Sequence, residues 1–297
     1  PVDNQDFENL KKALEKLQLS DSALDFMPEF SQGLGKGFRC GFLGLLHAEV
    51  VGDRLRGDFG VDLIMTAPTV SYRVEKRDGS VVVINKPADF PESGEIKQVR
   101  EPIVRLKIFS PFEYVTGLIS LIKNKRGKLI KQDYFGQQMS LIFRLPLSEM
   151  VIDLYDRVKS LSSGFASFDW ELVGFEPVEA VKLEIYLNRQ PVDAFSQIVP
   201  KKQAFRKGKS IVSRLRKLLP RQQFEVALRA QIGMKVIARE TLKAYRKDVT
   251  AKLYGGDQTR KDKLLKKQKK GKKKMKMVGH VSIPQEVFWQ ALGGKSD

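Results

Sequence analysis

The spacing of apolar residues predicts alternating helices and strands over the first 74 positions. Leu10, Leu14 and Leu17 are separated by four and three residues, so they share one face of a helix over residues 7–19. The segments that follow are a short strand at 23–29, a glycine-rich strand-to-helix turn at 33–44, a helix ending near Gly57, and β-rich runs at 61–68 and 69–74. This order indicates a split βαβ unit that lacks its opening strand.

The pattern then repeats in a complete form. Asp78-Gly79 and the valine run after it predict a hairpin, and the prolines beyond it predict a linker up to residue 98. The next elements are a strand at 102–109, a helix at 114–127, strands at 128–135 and 139–146, a helix at 151–164 and a strand at 166–175. This βαββαβ order is that of a ferredoxin-like domain.

A third arrangement begins after Pro177. Its predicted elements are a half-buried strand at 181–188, a turn at 188–191, a helix at 210–220, a strand at 224–233, a helix at 242–256 and a few apolar anchors at 281–292. The fold class is therefore α+β, with two tandem ferredoxin-like (split βαβ) domains followed by a basic α+β carboxy-terminal domain. The predicted boundaries are 1–75 for the first domain, 76–98 for the hairpin and linker, 99–176 for the second domain and 177–297 for the third.

Positive charge is concentrated in one part of the chain. The 297 residues include 53 Lys and Arg against 35 Asp and Glu, a net charge of +18. Between Lys201 and Lys276 there are 27 basic and five acidic residues, net +22, so the remainder has a net charge of −4. Such clustering indicates a polyanionic partner, with nucleic acid as the first candidate and an anionic membrane surface as the second.

Neither a membrane span nor export is expected, because no apolar run approaches 18 residues and the first residues do not resemble a signal peptide. The sequence begins at Pro1 rather than Met, and we expect it to be part of a longer polypeptide.

The densest charge lies at residues 260–276, with 11 basic residues in 17 positions and one acid. Repulsion between these like charges predicts a flexible Lys-rich loop at 257–278 that is disordered when unbound. Aromatic residues are sparse in the basic region. Their scarcity favours contacts to the phosphates of folded RNA over base stacking on single strands.

Motifs that would indicate nucleotide binding are incomplete. KGKS at 207–210 has Gln203 where a P-loop requires its first glycine. NKRG at 124–127 has Gly127 where a guanine-reading motif requires a carboxylate. The glycines at 33–44 lack dinucleotide-binding spacing. No nucleotide cofactor site is therefore expected in this chain.

Cysteine and histidine are also scarce. Cys40 is the single cysteine, and His47 and His280 are the two histidines, so neither a disulfide nor a Cys- or His-rich metal site is expected. We interpret Cys40 as a packed side chain and His47 as a hydrogen-bonded helix residue. An enzyme with a site around His47 and Cys40 remains an alternative.

Four segments resemble the elongation factor 4 (LepA) family of translational GTPases. They are GFRCGFLGLLHAEV at 37–50, DLIMTAPTVSYRV at 62–74, LPRQQFEVALRAQIG at 219–233 and LYGGDQTRKDKLLKKQKKGKKKMK at 253–276, with IPQEVF at 283–288. The last block is the most specific, since that carboxy-terminal domain is peculiar to the family and absent from elongation factor G. The resemblance implies that 1–75 correspond to domain III, 99–176 to domain V and 177–297 to the family's own carboxy-terminal domain.

The resemblance also implies a function. The family's GTPase domain and domain II, which use GTP and Mg²⁺, come first and are not present here, so this chain is expected to have no catalytic residues and no cofactor of its own. The implied partners are the ribosome, through rRNA and ribosomal proteins, and the tRNA acceptor arm, in back-translocation and fidelity of protein synthesis. A ribosome-associated monomer in the bacterial cytoplasm is expected, and the family is also linked to the cytoplasmic face of the cell membrane.

The residues expected to bind RNA combine the resemblance with the charge pattern. Arg221 matches the arginine of the family's PRQQF segment, Arg214 lies on a basic helix face, and the others match the family's basic loop. The full set is Arg214, Arg221, Arg260, Lys261, Lys263, Lys266, Lys267, Lys269, Lys270, Lys272, Lys273, Lys274 and Lys276. A stand-alone structural RNA-binding protein, such as a ribosomal component, is a further alternative.

Overall fold

The structure, a computed structural model, describes residues 1–31, 35–43, 45–66, 69–151, 153–250, 258–278, 281 and 283–292. The chain divides into two compact units, Pro1–Ala180 and Val181–Asp297. The first unit contains both predicted ferredoxin-like segments, and the boundary between those segments stays a prediction. Within the described ranges, no helix is both long and apolar enough to cross a membrane.

The first unit begins with two helices packed on a hairpin. The elements are α1 (Phe7–Ser20), β1 (Asp25–Ser31), β2 (Gly35–Gly41) and α2 (Leu45–Gly57). Leu10, Leu14 and Leu17 of α1 are buried together with Val51 and Leu55 of α2, so the predicted apolar face of the first helix is confirmed. Two other apolar side chains of α2, Leu46 and Val50, are exposed.

The glycine-rich segment is a strand, not the predicted strand-to-helix turn. Residues 35–41 pair with β1 along its whole length, from Asp25 opposite Gly41 to Ser31 opposite Gly35. This ladder satisfies the backbone groups despite the low strand propensity of glycine. Gly33 and Gly44 lie outside the described residues.

The prediction of β-rich runs after α2 is wrong for most of their length. Residues 61–66 and 69–71 are irregular, and the strand begins only at Tyr72. Val61 and Leu63 are buried against the core of α1 and α2. This segment is therefore held by side-chain burial rather than by a strand ladder.

The remainder of the first unit is one six-stranded sheet with its helices. Its elements are β3 (Tyr72–Lys76), β4 (Val81–Ile84), β5 (Ile96–Pro111), α3 (Val115–Asn124), β6 (Lys128–Phe135), β7 (Gln138–Pro146), α4 (Leu147–Met150), α5 (Leu154–Leu161) and β8 (Ser167–Val178). The antiparallel order β8-β5-β7-β6 is that of a ferredoxin-like sheet, which confirms the predicted fold. Its core includes Leu106, Leu118 and Phe143, all fully buried.

Strand β5 pairs with three other strands. Residues 99–109 pair with β8 along one edge. Along the opposite edge, 96–100 pair with β3 and 103–111 pair with β7. The β3–β4 hairpin therefore extends the ferredoxin-like sheet, in the region where the sequence predicts a hairpin and a linker.

The second unit is an α+β arrangement around a five-stranded sheet. Its elements are β9 (Ala180–Leu187), β10 (Gln190–Pro191), β11 (Gln197–Pro200), α6 (Lys201–Leu218), β12 (Val226–Ile232), β13 (Lys235–Leu242), α7 (Gln258–Val278) and α8 (Gln285–Leu292). The sheet order is β10-β9-β12-β13, with β11 also paired to β9. Phe288 of α8 is buried and stacks on Phe195 with 5.1 Å between ring centroids, so the predicted apolar anchors are confirmed.

Three predictions for the second unit are wrong in detail. Helix α6 begins at Lys201 rather than at 210, because small residues as well as large apolar ones face the sheet. The helix predicted at 242–256 is absent from 243–250, which are irregular, and 251–257 lie outside the described residues. The predicted disordered loop at 257–278 is a helix over 258–278.

Candidate nucleic-acid interface

Helix α6 joins the sheet of the second unit to a basic surface. Ala204, Gly208 and Leu215 are buried on the face that meets the sheet. A Cβ atom added at Gly208 would lie 2.9 Å from Ala230 Cβ, so glycine permits this close approach. Helix α6 also exposes cations that the predicted site does not include: Lys201, Lys202, Arg206, Lys209, Arg216 and Lys217. Of these, Arg216 pairs with Glu240 of β13 at 2.9 Å.

The position of Gly208 also explains the KGKS motif. Residues 207–210 lie in the middle of α6, where backbone groups bond within the helix. A P-loop instead requires free backbone N–H groups in a loop before a helix. The glycine of this motif serves helix-to-sheet packing.

Helix α7 is attached to the second unit by polar side chains at four-residue intervals. Gln268 Nε2 donates to Lys247 O at 2.8 Å. Lys272 Nζ donates to Gln223 O at 2.7 Å and also to Tyr245 O. Lys276 Nζ lies 3.0 Å from Glu225 Oε1.

These contacts explain why the Lys-rich segment is a helix. Residues four positions apart share one helix face, so Gln268 and the two lysines face the body of the unit together. Backbone carbonyls and one carboxylate accept their hydrogen bonds, which offsets repulsion along the segment. Lys272 and Lys276, which the sequence assigns to RNA, are thus engaged within the protein.

The remaining cations of α7 form an exposed row, here called the outer face. Its members are Arg260, Lys263, Lys266, Lys267 and Lys270, and Lys269 is exposed at its border. Lys261 is half-buried, and the side chains of Lys273 and Lys274 lie outside the described residues. At a rise of about 1.5 Å per residue, the helix extends this row over about 15 Å, several phosphate spacings of a nucleic acid.

A cleft lies between α7 and the segment before it. Its volume is about 390 Å³, and its lining includes Tyr245, Lys247, Gly271 and Met275. Lys247 was missed by sequence reasoning, although it belongs to the same basic stretch. Because a helix was predicted at 242–256, the position of Lys247 in an irregular segment beside α7 was not expected.

Arg214 and Arg221 lie apart from the outer face. Arg214 is on α6, where its Nη1 donates to Ala291 O of α8 at 3.5 Å. Arg221 is exposed in the segment between α6 and β12. All described members of the predicted set therefore lie in the second unit, distributed over α6, the segment after it and α7.

The NKRG segment has a structural role in the first unit. Gly127 N donates to Ile122 O at 2.9 Å, and Arg126 has a φ of 60°, which together form a helix C-cap after α3. A Cβ atom on Gly127 would lie 2.2 Å from Ile122 Cγ2. This glycine is therefore needed for the cap.

His47 is fully engaged in hydrogen bonds at the start of α2. Its Nδ1 accepts from the backbone N–H of Leu43 at 3.1 Å, and its Nε2 lies 2.7 Å from Asp21 Oδ2. The hydrogen bond from His47 lowers the pKa of Asp21 below its ordinary value. Both ring nitrogens thus hold the entry of α2 in place.

Cys40 is a packed strand residue. It lies on β2 beside the core of α1 and α2. Burial, with a smaller contribution from the Asp25 carboxylate, raises the pKa of its thiol to about 11. The thiolate is therefore disfavoured at neutral pH, and this cysteine is poorly suited to act as a nucleophile. Within the described ranges, no group of three or more Cys, His, Asp and Glu side chains could hold a metal ion.

Segments of both units are similar to known protein families. Residues 187–293 match the family described as GTP-binding protein LepA C-terminus, and residues 98–186 match elongation factor G C-terminus. Relatives named elongation factor 4 are 54% identical in Lacticaseibacillus casei, 50% in Oceanobacillus iheyensis and 50% in Clostridium acetobutylicum, each over 293 residues. The alignments cover 98% of this chain and 48% or 49% of each relative, so the chain spans about half the length of the curated relatives it matches. With both units matched, the chain belongs to the elongation factor 4 (LepA) family of translation factors.

Proposed function

We propose that this chain binds structured RNA on the ribosome, with the outer face of α7 as the main contact to the acceptor arm of a tRNA. The observation that carries the proposal is the division of α7 into two faces. One face is fixed to the protein through Gln268, Lys272 and Lys276, and the other presents a row of exposed cations. A helix fixed in this way holds its charges at constant spacing, which favours phosphates of a folded duplex over a flexible strand.

The family supplies the biological setting of the proposal. In elongation factor 4, such binding would act in back-translocation and in the fidelity of protein synthesis. The proposed working location is the bacterial cytoplasm, on the ribosome, with a second association at the cytoplasmic face of the membrane. We propose that the chain acts as a monomer.

The chain itself is proposed to bind without hydrolysing GTP. The two motifs nearest to nucleotide-binding signatures serve other purposes, since 207–210 lie within a packed helix and 124–127 form a helix cap. Ribosome-stimulated GTP turnover by this chain alone would contradict this part of the proposal.

The test is the salt dependence of RNA binding. A variant with Lys263, Lys266, Lys267 and Lys270 replaced by Gln removes four charges of the outer face and keeps the side chains that attach α7. The slope of log K against log salt concentration should become shallower by about 0.7–0.9 for each phosphate that the variant no longer neutralises, or by up to about 3.6 if each of the four lysines neutralises one phosphate. Binding is measured with tRNA and with ribosomes between about 50 and 200 mM salt, concentrations between which the affinity of phosphate-binding proteins changes by orders of magnitude.

A matched control removes the same charge elsewhere. Lys12, Lys16, Lys123 and Lys128 are exposed in the first unit, and their replacement by Gln should leave the slope nearly unchanged. Equal slopes for the α7 variant and the unmodified chain would refute the proposal. Stoichiometric retention on ribosomes after high-salt washing would instead favour a structural ribosomal component.

A further inference from the structure

Two arginines lie directly opposite each other on the sheet of the second unit. Arg229 of β12 pairs with Arg239 of β13, and on its other side Arg229 pairs with Tyr186 of β9. Directly opposed side chains are about 4.5–5.5 Å apart at Cβ, and like charges in this arrangement repel. The pair therefore requires a compensating anion or is destabilising.

Both arginines point away from α6. Ala230, next to Arg229, lies against Gly208 of α6, and Glu240, next to Arg239, pairs with Arg216 of α6 at 2.9 Å. Successive residues in a strand face opposite sides of the sheet. The arginine pair thus lies on the sheet face opposite α6.

Two donors, one within the arginine pair and one at the position that follows β9, are buried and have no acceptor among the described residues. They are Arg229 Nε and Asn188 Nδ2. Asn188 follows β9 and is a diagonal neighbour of Arg229, because Tyr186, two positions earlier, lies opposite Arg229. Its Oδ1 accepts from the Ala227 N–H at 2.8 Å, which fixes the amide orientation and leaves the NH₂ group directed elsewhere. Buried donors without acceptors are uncommon in native proteins.

The neighbouring carboxylate is already engaged. Glu184 is the other diagonal neighbour of Arg229, but its Oε1 lies 2.9 Å from Lys182 Nζ and its Oε2 accepts from the Tyr186 hydroxyl at 3.4 Å. In the part of the chain that the structure describes, neither arginine of the pair forms an ion pair with a carboxylate. The site thus has excess positive charge, carried by the exposed Arg239 and the half-buried Arg229.

We propose that Arg229 and Arg239 bind one phosphate group of an RNA backbone. Guanidinium groups match phosphate oxygens through paired N–H donors, and the exposed Arg239 side chain is open to an incoming ligand. The inference rests on the proposed function and adds to it a second RNA-binding position, on the sheet rather than on α7.

The first experiment asks whether the site binds the anion. Inorganic phosphate is titrated against chloride at constant ionic strength while the Nε–Hε signals of the arginines are followed by NMR. We expect a saturable shift of the Arg229 signal that is abolished in the Arg239→Gln variant, with no comparable shift for Arg206 on α6. An Arg229 response no larger than that of Arg206 would overturn the proposal.

The second experiment asks whether RNA supplies the phosphate. In the Arg229→Gln/Arg239→Gln double variant, the salt slope of tRNA binding should fall by about 0.7–0.9, the value for a single phosphate. The Lys12→Gln/Lys16→Gln variant removes two exposed charges from the first unit as a control for general electrostatics, and Arg239→Lys tests the guanidinium geometry at constant charge. An unchanged slope despite a clear phosphate titration would overturn the assignment to RNA and indicate a free-anion site.

The two proposals fail in different ways. If the α7 variant binds tRNA more weakly while the arginine variants behave as the unmodified chain, only this inference is refuted. If the unmodified chain binds no RNA but Arg229 still responds to phosphate, the proposed function and the RNA source are both refuted.

Discussion

We expect Arg126→Ala to lower the free energy of unfolding of the first unit by about 3–5 kcal/mol. The Arg126 guanidinium donates to both carboxylate oxygens of Glu101, at 2.7 and 2.9 Å, and to Glu149 Oε1 at 2.9 Å. The glutamate side chains are only 5% and 10% exposed. Removing the arginine leaves two carboxylates with little access to water, and the cost of burying these charges without their cation accounts for the expected destabilisation.

The backbone of Arg126 allows a sharper comparison. Its φ of 60° is in the left-handed region, which costs a residue with a Cβ atom about 1–2 kcal/mol relative to glycine. Arg126→Gly removes the same ion pairs but relieves this strain. The glycine variant should therefore be about 1 kcal/mol more stable than the alanine variant.

Urea unfolding followed by tryptophan fluorescence measures both effects. Trp170 lies on β8 in the first unit, and replacing Trp289 with Phe leaves it as the single tryptophan reporter. The destabilisation by Arg126→Ala should become smaller in a Glu101→Gln background, because one of the two buried charges is then absent. A destabilisation below about 1 kcal/mol, or an equal one in both backgrounds, would refute the assigned role of the cluster.

Two further predictions concern ionisable groups in the first unit. Burial, aided by the Glu101 carboxylate, raises the pKa of Tyr72 to about 12, so its stabilising effect is complete below about pH 10 and is lost as the pH rises towards 12. Urea unfolding at several pH values should show that the free energy of unfolding of Tyr72→Phe falls less steeply with pH in this interval than that of the unmodified chain, by up to about 1.4 kcal/mol per pH unit. Parallel curves for the two chains would contradict the effect. Burial raises the pKa of Cys40 to about 11, so iodoacetamide at about pH 7.5 should alkylate this thiol about 100-fold more slowly in the folded chain than in urea. Mass spectrometry follows the alkylation, and equal rates would argue against a packed thiol.

Apolar periodicity predicts the ferredoxin-like sheet well. The strands at 102–109, 128–135 and 139–146 and the helix at 114–127 contain residues that pack a single core, and the structure places each of them in the expected element. In these segments, local pattern and tertiary burial favour the same conformation. The buried cluster around Arg126 could not be predicted, because Glu101 and Arg126 are brought together only by the folded sheet.

Elements with few large apolar residues were missed or misassigned. Strand β2 contains Gly35, Gly37 and Gly41, and only its pairing with β1 makes it a strand. Helix α7 has no apolar stripe to predict it, and distant carbonyls such as Gln223 O hold it in place. The charge pattern therefore predicted which residues form the outer face, but it did not predict that they lie on a helix. The arginine pair at Arg229 could not be predicted, because only the pairing of β12 with β13 places Arg239 opposite Arg229.

The length of β5 affects how force passes through the first unit. Its 16 residues span about 50 Å, and hydrogen bonds to the β3–β4 hairpin follow one end while bonds to β7 and β8 follow the rest. A loop between the hairpin and the sheet would let the two move separately, whereas β5 joins them as one continuous hydrogen-bonded strand. A force applied at the hairpin would be transmitted along β5 to the ferredoxin-like sheet with little change in the distance between them.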